Sequence, residues 1–206
     1  MRSDAKKNYD LLLEVGREVV AEQGTEASLR DVARKAGVGI GTLYRHFPTR
    51  EALLQALLRE SFDRVTTRAE ALEASGPVDD ALVSWLREMV ALTHSHRGLI
   101  ASMTAAIADP DSALHASCVT LRGSGTRLLA RAQAEGRARR DIDGTDLLAL
   151  VSALAWLNDQ PSFAPRVDHL FGVIANAILV APGDAAGLTY GSSAHPQTPS
   201  SPKSSP

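Results

Sequence analysis

Cysteine is almost absent: Cys118 is the only one in 206 residues, so no intrachain disulfide can brace the fold. Aromatic residues make up only 4% of the chain, which leaves Ala, Leu and Val to build a core, and that composition favours packed helices over sheets. Excess charge of either sign is also missing. Lys and Arg number 22 against 24 Asp and Glu, and a net charge of -2 excludes bulk electrostatic attraction to nucleic acid, so any such surface has to be local. No apolar run approaches the roughly 20 residues that cross a bilayer. The longest, Leu147 to Leu157, is broken by Ser152, so no membrane partner is expected. The first fourteen residues are charged and contain no signal-peptide core, which points to a cytoplasmic protein. What remains, 44% hydrophobic and 22% charged, describes a globular chain expected to be all-α.

Capping residues and apolar spacing predict about nine helices. The first covers about 4–23 and ends at Gly24; Gly16 inside it implies close packing against another helix. A second starts at Ser28, whose hydroxyl can cap free amides, and carries the stripe Leu29, Val32, Ala33 and Ala36. Gly37-Val38-Gly39 permits a tight turn with positive φ before a third helix, Ile40 to Phe47. Pro48 ends it, and Thr49 caps a fourth that runs to about Ala74. Further helices are expected at 78–95, 97–108, 111–135, 143–158 and 163–180. Half of the ten prolines fall after Ala181, so residues 181–206 read as a disordered Pro/Ser-rich tail.

The segment Ser28 to Glu51, SLRDVARKAGVGIGTLYRHFPTRE, is chemically distinctive. Its short third helix has an apolar inside, Leu43 and Phe47, and an outside of Gly41, Thr42, Tyr44, Arg45 and His46. Small residues let such a helix approach base edges, while Thr42 and Arg45 offer groups suited to bases and Tyr44 and His46 offer donors to phosphate. Residues 25–50 hold five basic side chains against two acidic ones, a local charge of +3. Candidate DNA contacts are Ser28, Gly39, Gly41, Thr42, Tyr44, Arg45, His46, Thr49 and Arg50.

This segment resembles the tetracycline-repressor family of bacterial regulators. The resemblance rests on Val32-Ala33, Ala36-Gly37-Val38, Thr42-Leu43-Tyr44-Arg45-His46-Phe47 and Thr49-Arg50-Glu51-Ala52-Leu53, and spans about residues 8 to 58. It implies a three-helix DNA-binding domain at 1–48, a helical effector and dimerisation domain at 49–180 with 49–74 as the link, and a homodimer. The expected function is a repressor that binds a palindromic operator and is released by a small-molecule effector. The alternatives are a helix-turn-helix protein controlled by a partner protein or, less favoured, an enzyme.

Nothing in the remaining sequence assembles a catalytic constellation, and no cofactor is expected. His94 and His96 lack the i, i+4 spacing that would place two imidazoles on one helix face for a metal, and His115 with Cys118 lacks a third group. Trp85, Met89, Met103, Cys118 and Trp156 are candidates to line an effector pocket. The helices at 143–158 and 163–180 are apolar on most sides, which calls for burial against a second chain. Leu147, Val151, Leu154, Leu170, Ile174 and Ile178 are the expected dimer interface.

Overall fold

The computed structural model describes residues 2–74 and 76–180, with side chains from residue 5 onward. The expected tail at 181–206 lies outside the described residues. Among those described there are ten α-helices and no β-strand: α1 (Arg2–Gln23), α2 (Leu29–Lys35), α3 (Ile40–His46), α4 (Arg50–Ala74), α5 (Val78–Ser95), α6 (Arg97–Ser102), α7 (Thr104–Ala108), α8 (Ala113–Ala134), α9 (Gly144–Asn158) and α10 (Val167–Ile178).

Helices α1 to α3 form a head around Leu12, Val19, Val32, Leu43 and Phe47, closed by Leu53 and Leu57 from α4. The other side of α4, with Leu54, Leu58, Phe62 and Val65, joins a body core of Trp85, Leu121, Leu128, Leu147 and Phe171. A single helix therefore belongs to both cores. It packs along α8, while α5 runs against α8 and α9, and α10 covers α9. Gly16 does bring α1 close to α4: a Cβ there would sit 3.1 Å from Leu53 Cδ1. Gly37 has the positive φ expected of the turn, 67°. Gly39 does not; at φ -64° its carbonyl instead accepts the amides of Thr42 and Leu43 and starts α3.

Three expectations are corrected. The helix predicted over 97–108 is broken at Met103 into α6 and α7. The hydroxyls of Ser102 and Thr104 donate to the carbonyls of Leu99 and Ala101, offering the backbone acceptors a competing partner. Ser28 does not cap α2 with its side chain; its own amide donates to the Gln23 side-chain Oε1, at 3.3 Å. The last helix opens with a 3-10 turn at Ala164–Arg166 and stops at Ile178, because the following backbone turns to pair with the loop after α8. Arg139 N–H donates to Ile178 O at 2.9 Å and Val180 N–H to Arg137 O at 3.0 Å, an isolated antiparallel bridge that locks the end of α10 onto the body.

The expected interface also needs revision. Leu147, Val151, Leu154 and Ile178 are at most 3% exposed and belong to the protomer's own core, so they have no surface left to offer a second chain. Leu170 and Ile174 are half-buried. The face of α9 and α10 that remains open carries Ala149, Ala153, Trp156, Val173 and Ala177.

Candidate nucleic-acid interface and ligand cavity

The short α3 is held by Leu43, which is fully buried, and by Phe47 just beyond its end. Anchoring at these two positions turns Gly41, Tyr44 and Arg45 to solvent, with Thr42 half-exposed beside them. Arg45 folds back along the helix, its Nε donating to Gly41 O at 3.3 Å and a terminal nitrogen to Thr42 Oγ1 at 3.2 Å. Both bonds are exposed and easily exchanged for a base or a phosphate. The other cations of the segment are committed differently. Arg34 pairs with Asp31, Lys35 with Glu18 and Glu22, and Arg50 with Glu26 and Glu51. Arg30 and Arg45, both exposed, have no carboxylate partner among the described residues, so their charge stays uncompensated.

Thr49 caps α4, its Oγ1 accepting the Ala52 amide at 3.1 Å. His46, expected on the outer face, is partly covered. Its half-buried ring lies edge-on to Tyr9, with centroids 6.0 Å apart, and Tyr9 stacks in turn on Phe47 at 5.2 Å. That ring contact ties the end of α3 to α1. His94 and His96 point apart, in keeping with their spacing: His94 Nδ1 lies 3.0 Å from Asp159 Oδ1 on the body, while His96 Nε2 meets Ser61 Oγ of α4 at 3.1 Å.

A cavity of about 280 Å³ lies inside the body between α4, α5, α6, α7, α8 and α9. Phe62, Met89, Ile107, Leu121, Leu148 and Val151 supply apolar wall, and Thr93, Thr104, Cys118, Ser152 and Arg122 supply the polar groups. Burial pushes the Cys118 thiol upward in pKa, so it stands there as a neutral sulfhydryl. Arg122 has no ion-pair partner among the described residues.

Two family models match the chain. One, described as bacterial regulatory proteins of the tetR family, covers residues 12–57, and the other, the C-terminal domain of SbtR-like transcriptional regulators, covers residues 77–178. A crystal structure of a TetR transcriptional regulator from Streptomyces coelicolor is 31% identical, with a TM-score of 0.67 over 83% of this chain and 98% of that one. The chain belongs to the TetR family of bacterial transcriptional regulators. A second TetR structure, from Mycobacterium vanbaalenii, is 28% identical with a TM-score of 0.65 over 87% of this chain and 99% of the other. An HTH-type transcriptional regulator of Staphylococcus aureus (strain MRSA252) is 36% identical over 87 residues. That match spans 39% of this chain and 45% of the relative, less than half the length of the curated protein.

Within this TetR chain, the structure brings Gly41, Thr42, Tyr44 and Arg45 onto one outward face, with Gly39 exposed at its start and Ser28 half-exposed ahead of α2. Thr49 is bonded to Ala52 of α4, Arg50 is paired with Glu26 of the head, and His46 packs edge-on to Tyr9. Of the five pocket candidates, Met89 and Cys118 line the cavity. Trp85 and Met103 are packed in the body core, and Trp156 stands on the surface, 60% exposed. Two residues are not singled out by the sequence pattern. Arg122 lies one helical turn after Cys118, and that spacing, which places both on one face, is the signal that could have found it. Arg30 is picked out only by subtraction, once its neighbours' partners are known.

Proposed function

We propose that this TetR-family regulator acts as a homodimeric repressor, with residues 1–48 as the operator-reading unit and 49–180 as the effector and dimerisation unit. The observation that carries the reading is the sharing of walls. Phe62 of α4 and Ile100, Thr104 and Ile107 of α6 and α7 line the cavity, while α4 also completes the head core and α6 packs against the Gly24–Glu26 turn of the head. A ligand that moves either wall therefore moves the head. Two reading helices on half-sites about one DNA turn apart tolerate little change in their separation. Lowering operator affinity a hundredfold needs about 2.7 kcal/mol of differential ligand binding, and operator DNA must weaken the ligand by the same factor.

The dimer in this reading forms through the open face of α9 and α10. Trp156 and Val173, 60% and 52% exposed, are its centre, with Leu170 and Ile174 at the edge. Pairing of two such helices with their twofold mates makes a four-helix contact that buries this apolar strip. The cavity fits a compact, largely apolar effector with one polar or acidic end near Arg122.

The test of the DNA reading uses duplexes recovered by in vitro selection from random sequence. Replacing Thr42 or Arg45 by Ala is expected to cost about 1–3 kcal/mol and to relax preference at individual base pairs. Replacing Arg30 or Tyr44 by Ala is expected to weaken all sequences alike, and loss of the Arg30 charge is expected also to flatten the salt dependence. Unchanged binding by both Arg45→Ala and Tyr44→Ala, measured across salt concentrations, would place the DNA on another surface.

A further inference from the structure

The cavity inside the body is not the only space in the molecule. A larger cleft of about 580 Å³ opens where head meets body, with Arg17, Val20 and Thr25 on the head side, Leu57, Ser61 and Arg64 along α4, and His96 and Leu99 on the body side. We propose that this cleft is a second ligand site, for a small amphiphilic anion such as a medium-chain carboxylate, which bridges head and body when bound.

The charge and the hydrogen bonds of the cleft set the polarity of that ligand. Arg17 is already neutralised by Glu60 at 2.8 Å, but Arg64 is exposed and has no carboxylate partner among the described residues. The Thr25 hydroxyl, likewise unpartnered among them, lines the same space from the head. Ser61 Oγ donates to Leu57 O at 3.1 Å and lies 3.1 Å from His96 Nε2. The other ring nitrogen, Nδ1, lies 2.8 Å from Ser95 Oγ and 3.2 Å from Leu92 O, and the Ser95 hydroxyl itself donates to Leu92 O. Burial, and then the Arg64 and Arg17 charges, hold His96 below its ordinary pKa. The remaining nearby cation, Arg97 on α6, is taken up by Asp159. An uncompensated guanidinium beside a neutral imidazole calls for an anion, and Val20, Leu57 and Leu99 offer its chain an apolar wall. A purely inorganic anion would leave that wall wet. A neutral chain would leave Arg64 unpaired.

Calorimetric titration of the full chain with octanoate tests the assignment. One octanoate is expected per protomer, with octanol and inorganic phosphate at least about tenfold weaker, because each lacks one of the two recognised features. Arg64→Ala, a change at an exposed position, is expected to weaken octanoate about tenfold while leaving the melting temperature unchanged. Ser152→Trp, which fills the mouth of the body cavity from an exposed position, is expected to leave octanoate binding intact. Absence of saturable binding overturns the proposal. Binding that survives Arg64→Ala and is lost in Ser152→Trp overturns it too, by moving the anion to the body cavity, where it would instead support the effector reading. Because the ligand touches both head and body, selected operator DNA is expected to change octanoate affinity; equal affinities with and without DNA would overturn the bridging.

Discussion

Placing glutamates at both Trp156 and Val173 should yield a folded monomer that no longer holds its operator. Both side chains are more than half exposed in the protomer, so the substitutions remove little from its own core and the melting temperature should hold. In the dimer the same positions would bury four carboxylates in an apolar contact, and unpaired buried charge costs several kcal/mol each. Each head alone supplies one half-site, and the loss of the second, tethered contact should lower operator affinity by about a hundredfold or more. Sedimentation and operator titration read the two effects separately. Leu154→Glu makes the necessary contrast: Leu154 is 2% exposed inside the protomer, so that carboxylate should unfold the body itself, beyond separating one copy from the other. A double variant that still sediments as a dimer would move the interface away from the open face of α9 and α10.

The second large effect is expected at Gly125. This residue lies in the middle of α8 directly under the indole of Trp85, which is 1% exposed. A Cβ at position 125 would fall 2.2 Å from Trp85 Cη2 and 2.4 Å from Cζ2, far inside contact distance. Gly125→Ala therefore forces the indole to move. Its Nε1–H now donates to Ser124 Oγ at 3.0 Å, and Ser124 passes its own proton to Leu121 O at 2.7 Å, so the movement also strands a buried donor. Overpacking and the lost hydrogen bond together should cost about 3–5 kcal/mol, or about 10 °C in melting temperature. Alanine is otherwise the better helix former, so a neutral or stabilising result would mean that the indole has another place to go. Adding Trp85→Leu to Gly125→Ala should recover some of the loss, because the two changes act on one contact and are not additive.

That glycine illustrates which information was local. Helix α3 could be read in advance because its signals lie within a dozen residues: the Gly37 turn, the anchors Leu43 and Phe47, the stop at Pro48 and an outer face of small and polar groups. Gly16 was legible for the same reason, since a glycine weakens the helix that holds it and its use there is close approach to a neighbouring helix. Trp85 over Gly125 was not legible. The partners are 40 positions apart, and no pattern in either helix says which side of α5 faces which turn of α8. The break at Met103 also hid, because hydroxyls that compete for carbonyls leave no proline or glycine as a marker.

The same distinction governs the interface and the cavity. Composition and periodicity determined that this is a helical chain, that its positive charge gathers around α3, and that α9 and α10 carry more apolar surface than one face requires. Apolar periodicity reports how much of a helix is buried but not by what. Only packing decided that Leu147, Val151, Leu154 and Ile178 are spent within the protomer while Trp156 and Val173 are left exposed. Only packing set His46 against Tyr9 and gave every cation of residues 25–50 a carboxylate except Arg30 and Arg45. The physical reason is common to all of these. Secondary structure and net charge arise from neighbours in the chain, whereas the choice of partner for a side chain depends on groups that are brought near only when distant helices meet.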